Sequence, residues 1–294
     1  MPLNRTQSLS LLFLIFLLFV NSAVYVLLYR EEHSPKLLTV SFLDIGQGDS
    51  IFIETPGGRQ MLIDGGRDAR VLRELSGVMS PFDKDIDVVI ATHPDADHIG
   101  GLIDVLGKYK IGTLLESPAE GKTATYRTLK NLVEEKNIPE VLAEEGGEIL
   151  FDYGIIVEVL SPPIGTSPNT ETNTASIVIK VTYGENEFLL TADAPRQVEH
   201  RLVTGKKDLV SDVLKAGHHG SRTSSSNEFV EAVNPEHAVV SSGKSNSYGH
   251  PHKETLDTFS KHNIKILRTD ERGRITFYSD SKTLSVDKGR SVEK

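Results

Sequence analysis

Apolar residues run without a charged interruption from position 9 to position 28, LSLLFLIFLLFVNSAVYVLL. At about 1.5 Å per residue such a helix reaches ~30 Å, the thickness of a bilayer core. A cleaved export signal has a shorter apolar region and a small-x-small cleavage site, which Asn21-Ser22-Ala23 fits poorly. A buried helix is rarely apolar on every side over this length. The pattern therefore predicts an uncleaved single-pass transmembrane anchor over 9–29, with a short cytoplasmic tail at 1–8 and a linker at 30–36. Arg5 and the amino terminus before the run, and Glu31 and Glu32 after it, place the rest of the chain on the outer side of the cell membrane.

From position 37 the periodicity changes. LLTVSFLDIG, SIFIETP and QMLIDGG read as strands separated by Gly-rich turns, and DIDVVIATH reads as a buried strand ending at His93. IGTLLES, EILFDYGIIVEVLSP, SIVIKVTYG, NEFLLTAD, DLVSDVLKAG and HAVVSSG continue the strand pattern, and KILRTDERGRITFYSD closes as a hairpin. Between them VLRELSGVM, IGGLIDVLGKY, TYRTLKNLVEEKN, APRQVEHRLV, NEFVEAVNP and HKETLDTFSKHN carry helical spacing. Two sets of strands, each flanked by helices, predict an α/β fold built as a four-layer αββα sandwich. No break in composition divides residues 37–290, which are expected to form one domain.

The absence of cysteine removes disulfides, thiolate metal sites and cysteine nucleophiles from the candidates. A formal net charge of −9 argues against a general nucleic-acid-binding surface. A polyanionic substrate would have to be attracted locally, and cations bound in a cleft supply such a local charge.

The densest candidate chemistry is His93-Pro94-Asp95-Ala96-Asp97-His98, four metal-ligating side chains in six residues at the end of an apolar strand. Imidazole and carboxylate together suit zinc, manganese or iron. Asp193 ends the apolar run LLTA, where it could equally cap a helix. His218 and His219 stand between two glycines at another strand end and have no apolar face to belong to. Ser241 to Asn246 and Tyr248 to Pro251 form a Gly- and Ser-rich loop carrying His250. Asp44, Asp49 and Asp64 sit in turns, where they line a cleft or shape the turn. His33, His200, His237, His252 and His262 lack such context and are read as surface residues.

FLDIGQGDSIFIETPGG, LIDGG, THPDADHIGG, Asn173 with Ser176, LLTAD, LKAGHHGSRTSSS and SSGKSNSYGHP occur here in this order, over roughly 40–280. Together they resemble the metallo-β-lactamase superfamily, and within it the hydrolase domain of ComEC-type DNA-uptake proteins. That resemblance implies a metal-dependent hydrolase holding two divalent ions, Zn or Mn. It implies that His93 and Asp95 hold one ion, Asp97 and His98 the other, and that Asp193 bridges them. One or both of His218 and His219 would complete the set. Asn173 lies near the place of a histidine that the family usually has there, and oxygen ligands in its stead suit manganese as well as zinc. Asp97 would orient a water or take its proton, with His250 and Ser221 on the substrate's oxygens. Asp44, Asp49, Asp64, Asn173 and Asn246 would support the ligands or touch substrate.

The expected substrate contains a phosphodiester, with DNA outside the cell as one candidate and no protein partner implied. Phosphorylcholine esterases acting on cell-wall teichoic acid share the paired-His motif and give an alternative substrate, although this chain has no Trp-rich choline-binding repeat. The remaining alternative is a non-catalytic binding domain that keeps the fold. The three-His site of true β-lactamases is missing, so antibiotic hydrolysis is not implied.

Overall fold

The computed structural model describes residues 5–33 and 37–287. Residues 1–4, 34–36 and 288–294 lie outside the described residues, and with them parts of the expected tail, linker and domain end. The chain forms two compact units, Met1–Lys36 and Leu37–Lys294. The first contains helix α1 (Arg5–His33), where the side chain of His33 is outside the described set.

Among the described residues no helix is long and apolar enough to cross a membrane. The apolar stretch of α1 carries polar residues within it. Asn21 sits within it, its amide nitrogen donating to the Leu17 carbonyl at 2.9 Å. This corrects the expectation of a transmembrane anchor over 9–29.

In the second unit the chain lays down β1 (Leu38–Phe42), β2 (Ile51–Glu54), β3 (Gln60–Ile63), β4 (Asp85–Ala91), β5 (Lys110–Glu116) and β6 (Glu140–Leu142) side by side. It then builds a second sheet from β7 (Glu148–Leu150), β8 (Ile156–Ser161), β9 (Val178–Tyr183), β10 (Asn186–Leu190), β11 (Val213–Lys215), β12 (His237–Val240) and β13 (Lys265–Arg268). Finally β14 (Ile275–Ser279) and β15 (Leu284–Val286) return to the first sheet beside β1. Strands β3 to β6 pair in parallel, as do β10 to β13.

Strand alternation explains why these runs read as continuously apolar. Ile51 and Ile53 face the core between the sheets while Phe52 faces the opposite side. Met61 and Ile63 alternate with Leu62 in the same way. In the second sheet Phe188 and Leu190 face inward and Leu189 outward. Both faces are covered, so both carry apolar residues.

The outer layer on the first sheet is α2 (Arg70–Leu75), α3 (Ala96–Lys108) and α4 (Ala124–Glu135), which contribute Val71, Leu102, Val105, Leu129 and Val133 to its core. On the second sheet α5 (Arg196–Thr204), α6 (Asn227–Val233) and α7 (Lys253–Lys261) contribute Val198, Leu202, Phe229 and Phe259. Three apolar cores thus separate four layers, αββα, as the sequence pattern predicts.

Two local readings change. The segment expected as a closing hairpin is split: β13 and β14 belong to different sheets, joined by the short helix α8 (Thr269–Arg272). The Asp-Glu-Arg-Gly run that resembles a turn is a helical turn that carries the chain across. The segment expected as one strand over 148–162 is two, β7 and β8, paired antiparallel around 152–154.

Candidate metal centre

The parallel strands end on one side of the sandwich, and the polar residues follow those ends. Asp64 succeeds β3, His93 succeeds β4, Asp193 succeeds β10, His218 and His219 succeed β11, and the loop bearing His250 succeeds β12. Open α/β sheets place their reactive groups at such carboxyl ends. Asp97 and His98 do not lie in a loop as the sequence reading had them. They form the first turn of α3, where Asp97 also complements the helix dipole.

Backbone conformation at these ends is unusual. Asp64, Ala192, His218 and His219 all have positive φ, between 45° and 59°. Non-glycine residues adopt this region rarely, and it persists where surrounding structure imposes it. The 218–225 loop has such an anchor: the Glu199 carboxylate, buried in α5, accepts the backbone N–H groups of Ser225 and Ser226.

Asp193 occupies the middle of the centre. Its Oδ1 lies 3.4 Å from His98 Nε2, and its Oδ2 lies 3.4 Å from His218 Nε2, 3.5 Å from His219 Nε2 and 4.0 Å from His93 Nε2. Asp95 lies 3.9 Å from His93 Nε2, and Asp97 lies 3.7 Å from His219 Nε2. All seven residues expected to hold metal are therefore brought together.

The donor set fits divalent cations. In a tetrahedral zinc site with bonds of ~2.0–2.1 Å, neighbouring donor atoms sit about 3.3–3.4 Å apart. The pairs that Asp193 makes with His98, His218 and His219, at 3.4–3.5 Å, come close to that spacing, while Asp97–His219 and the pairs around His93 are wider. His93 Nε2, His98 Nε2, His219 Nε2 and Asp193 Oδ1 are buried and have no hydrogen-bond partner. Buried polar atoms are rarely left so, and a shared cation satisfies all four.

Atoms of Asp49, His98, Asp193 and His219 also lie within 4.8 Å of one another. Asp49, however, faces the far nitrogen of His219: its Oδ1 is 3.2 Å from Nδ1, and its Oδ2 is ion-paired with the buried Lys215. Asp64 faces the far nitrogen of His98 in turn, hydrogen-bonded to its Nδ1 at 2.7 Å, whereas Asp49 and His219 meet as a charge contact without hydrogen-bond geometry. Asp64 also accepts the Thr92 backbone N–H at 2.9 Å and the Thr92 hydroxyl at 2.7 Å. We therefore assign Asp49 and Asp64 to orienting the two imidazoles, each of which keeps Nε2 for the centre.

Burial takes His93 down to about 3, helped by His98 beside it, so it is neutral with a free lone pair. Burial also works against a charge on His219, but Asp193 and Asp49 outweigh it and carry His219 up to about 9. Asp97, in spite of its own burial, is held down to about 2 by His219 and His98. Burial raises Asp64, opposed by His98 and the Thr92 donors.

Metal binding needs His219 without its proton. Below about pH 9 each binding event at this residue displaces a proton, and His98, which against its burial is held well above the usual imidazole range by Asp193 and Asp64, displaces another, so apparent affinity should rise from pH 6 to pH 9. The slope is about tenfold per pH unit for each proton displaced. Calorimetric titration in buffers of different ionisation enthalpy counts the protons, and an affinity independent of pH over this range would contradict the assignment.

The other expected residues are placed as follows. His250 is half-buried, with its ring 5.6 Å from that of His218 and 6.1 Å from that of His219. Burial and the neighbouring His219 take it down to about 4. Gln47 fixes its orientation, accepting the Gly243 N–H at 3.2 Å and placing its amide nitrogen 3.5 Å from His250 Nδ1. Asn246 ties the same loop, donating to the His250 carbonyl at 2.6 Å and accepting the His250 N–H at 3.0 Å.

Ser221 is buried with its hydroxyl 3.0 Å from Thr223 Oγ1, which in turn lies 3.3 Å from His218 Nδ1. It stands behind His218 rather than beside the open face. Asn173 leaves its Oδ1 buried without a partner, and no contact joins it to the cluster. Asp44 lies near Gly273 and Arg70 and is likewise outside the cluster. His252, read as a surface residue, stands 4.9 Å from His250. Sequence reasoning missed Lys215, Thr92, Glu199 and Gln47. Only Lys215 left a signal, a charge at the end of an apolar strand.

The profile of the metallo-beta-lactamase superfamily matches residues 43–244. Among characterised relatives, ComE operon protein 3 of Bacillus subtilis (strain 168) is 32% identical over 266 residues, covering 81% of this chain and 32% of the relative. Competence protein ComA of Neisseria gonorrhoeae is 33% identical over 256 residues, covering 85% of this chain and 33% of the relative. The chain thus spans about a third of the length of these relatives. CmlA, a diiron beta-hydroxylase from Streptomyces venezuelae, has a similar fold, with a TM-score of 0.52 and 15% identity over 83% of this chain and 54% of CmlA.

Proposed function

The chain belongs to the metallo-beta-lactamase superfamily, and from that premise we propose that it is a metal-dependent phosphodiesterase. The observation that carries the reading is the single buried carboxylate of Asp193 shared between two donor sets, His98 on one oxygen and His93, His218 and His219 on the other. When bound, two divalent cations supply a water of lowered pKa and neutralise phosphate oxygens.

The protein's own residues do the rest. His93, His218 and His219 gather on one oxygen of Asp193, with Asp95 beside His93 and Asp97 beside His219, and His98 approaches the other oxygen. Asp49 and Asp64 fix which imidazole nitrogens face inward. Asp97, ionised at neutral pH and partly open to solvent, accepts a hydrogen bond from the attacking water and orients it. His250 is neutral at pH 7. If Gln47 donates to its Nδ1, the ring proton rests on Nε2, available to a phosphate oxygen. The chain's formal charge of −9 leaves the centre as the place where a polyanion is attracted.

The relative from Neisseria gonorrhoeae is a competence protein, which makes DNA the first polymer to try. The purified chain, loaded with Mn²⁺ or Zn²⁺, is incubated with single-stranded DNA and with bis(4-nitrophenyl) phosphate, alongside an Asp97→Ala variant. Cleavage of either substrate at least tenfold faster than the variant is expected. Equal rates would refute the reading. A teichoic acid arm, scored by choline release, separates the esterase alternative.

A further inference from the structure

Lys215 is a charge in the wrong place for its strand. In β11, Val213 faces the core between the sheets and Leu214 faces the outer core, so alternation turns Lys215 inward. It is fully buried. A buried ammonium is costly unless partners hold it, and an apolar residue at this position would serve the strand better.

Its partners lead to the metal centre. Nζ is ion-paired with Asp49 Oδ2, and the other oxygen of Asp49 lies 3.2 Å from His219 Nδ1. Nζ also donates to the Ala192 carbonyl at 3.2 Å, one residue before Asp193. Ala192 is one of the strained positions, with φ 45°. The Lys215 carbonyl accepts the Thr191 hydroxyl at 2.8 Å, which locks β11 to the end of β10. A purely structural ion pair would have no reason to end on two groups that both touch ligand-bearing residues.

We propose that Lys215 is the positioning residue of one half of the centre, holding Asp49 so that His219 presents Nε2 and holding the backbone that aims Asp193. The other half has its own device, in which Thr92 takes the place of Lys215: two Thr92 donors grip Asp64, and Asp64 grips His98. The centre is therefore supported by two separate chains of contact, one per imidazole. Removing Lys215 should affect the His219 side more than the His98 side.

This inference rests on reading these side chains as metal ligands, but its test does not use catalysis. The full chain is titrated with Co²⁺ while the visible absorption is followed, and bound metal is counted by mass spectrometry. Lys215→Met and Asp49→Asn should each weaken the cobalt site that includes His219 by about 10–100-fold, with a clearly smaller loss at the other. The double variant should be no worse than either single one, because both act through one contact chain. Should Lys215→Met fail to fold, Asp49→Asn, which preserves size, decides alone.

A fall in Tm with both cobalt affinities unchanged would overturn the proposal, and so would equal weakening of both sites. A wild-type chain that binds two cobalt ions yet cleaves no phosphodiester would end the hydrolase reading and leave this one in place.

Discussion

Asp193→Ala should abolish phosphodiester cleavage while the chain still folds. The reason is its position. One oxygen lies 3.4 Å from His98 and the other lies 3.4–4.0 Å from His93, His218 and His219, so this carboxylate faces both donor groups. Losing charge stabilisation of about 4 kcal/mol corresponds to a rate loss of about a thousandfold. The fold should survive because Asp193 follows β10 rather than packing in any of the three cores. The measurement is the rate on bis(4-nitrophenyl) phosphate beside the bound metal content and the circular dichroism spectrum. A variant within tenfold of the original rate would remove Asp193 from the centre.

The second large effect is on stability. Asp64→Ala should cost about 3 kcal/mol or more, because it strands three buried donors at once. Those donors are the Thr92 N–H, the Thr92 hydroxyl and His98 Nδ1. Alanine must also take the φ of 59° that Asp64 holds, a region that Asp tolerates better. For a domain of this size the expected fall in Tm is about 6–12 °C. Scanning calorimetry in the presence of chelator isolates this from any loss of bound metal. Asp44→Ala, lying outside the cluster, is the control and should change little. A drop no larger than that control would show that the Asp64 bonds contribute nothing net.

The ligands were readable from the sequence because parallel strands buried on both faces appear as apolar runs, and each run announces its polar successor. VVIA before Thr92-His93 and LLTA before Asp193 are of this kind. The paired histidines were readable because two glycines bracket them. Neither pattern could say where Asp97 and His98 fall relative to the start of α3, since a helix beginning with polar residues looks like a loop. The resemblance put Asp49 among the supporting residues, but which groups Asp49 and Lys215 meet was hidden. Each is defined by a partner more than a hundred residues away, and a lysine at a strand end ordinarily lies at the surface. Gly48 gives a smaller example: a Cβ there would lie 2.1 Å from the Asp97 carbonyl, a close approach that brings the Asp49 turn against α3 and leaves no trace in local periodicity.

In the proposed centre one carboxylate serves both donor groups, so two cations held there would not be independent. Whatever the first ion does to the geometry or charge of Asp193 alters the second ion's affinity, and the second must alter the first by the same factor. The protein is thereby expected to respond to metal supply as a coupled pair, with its half-loaded form governed by that one side chain.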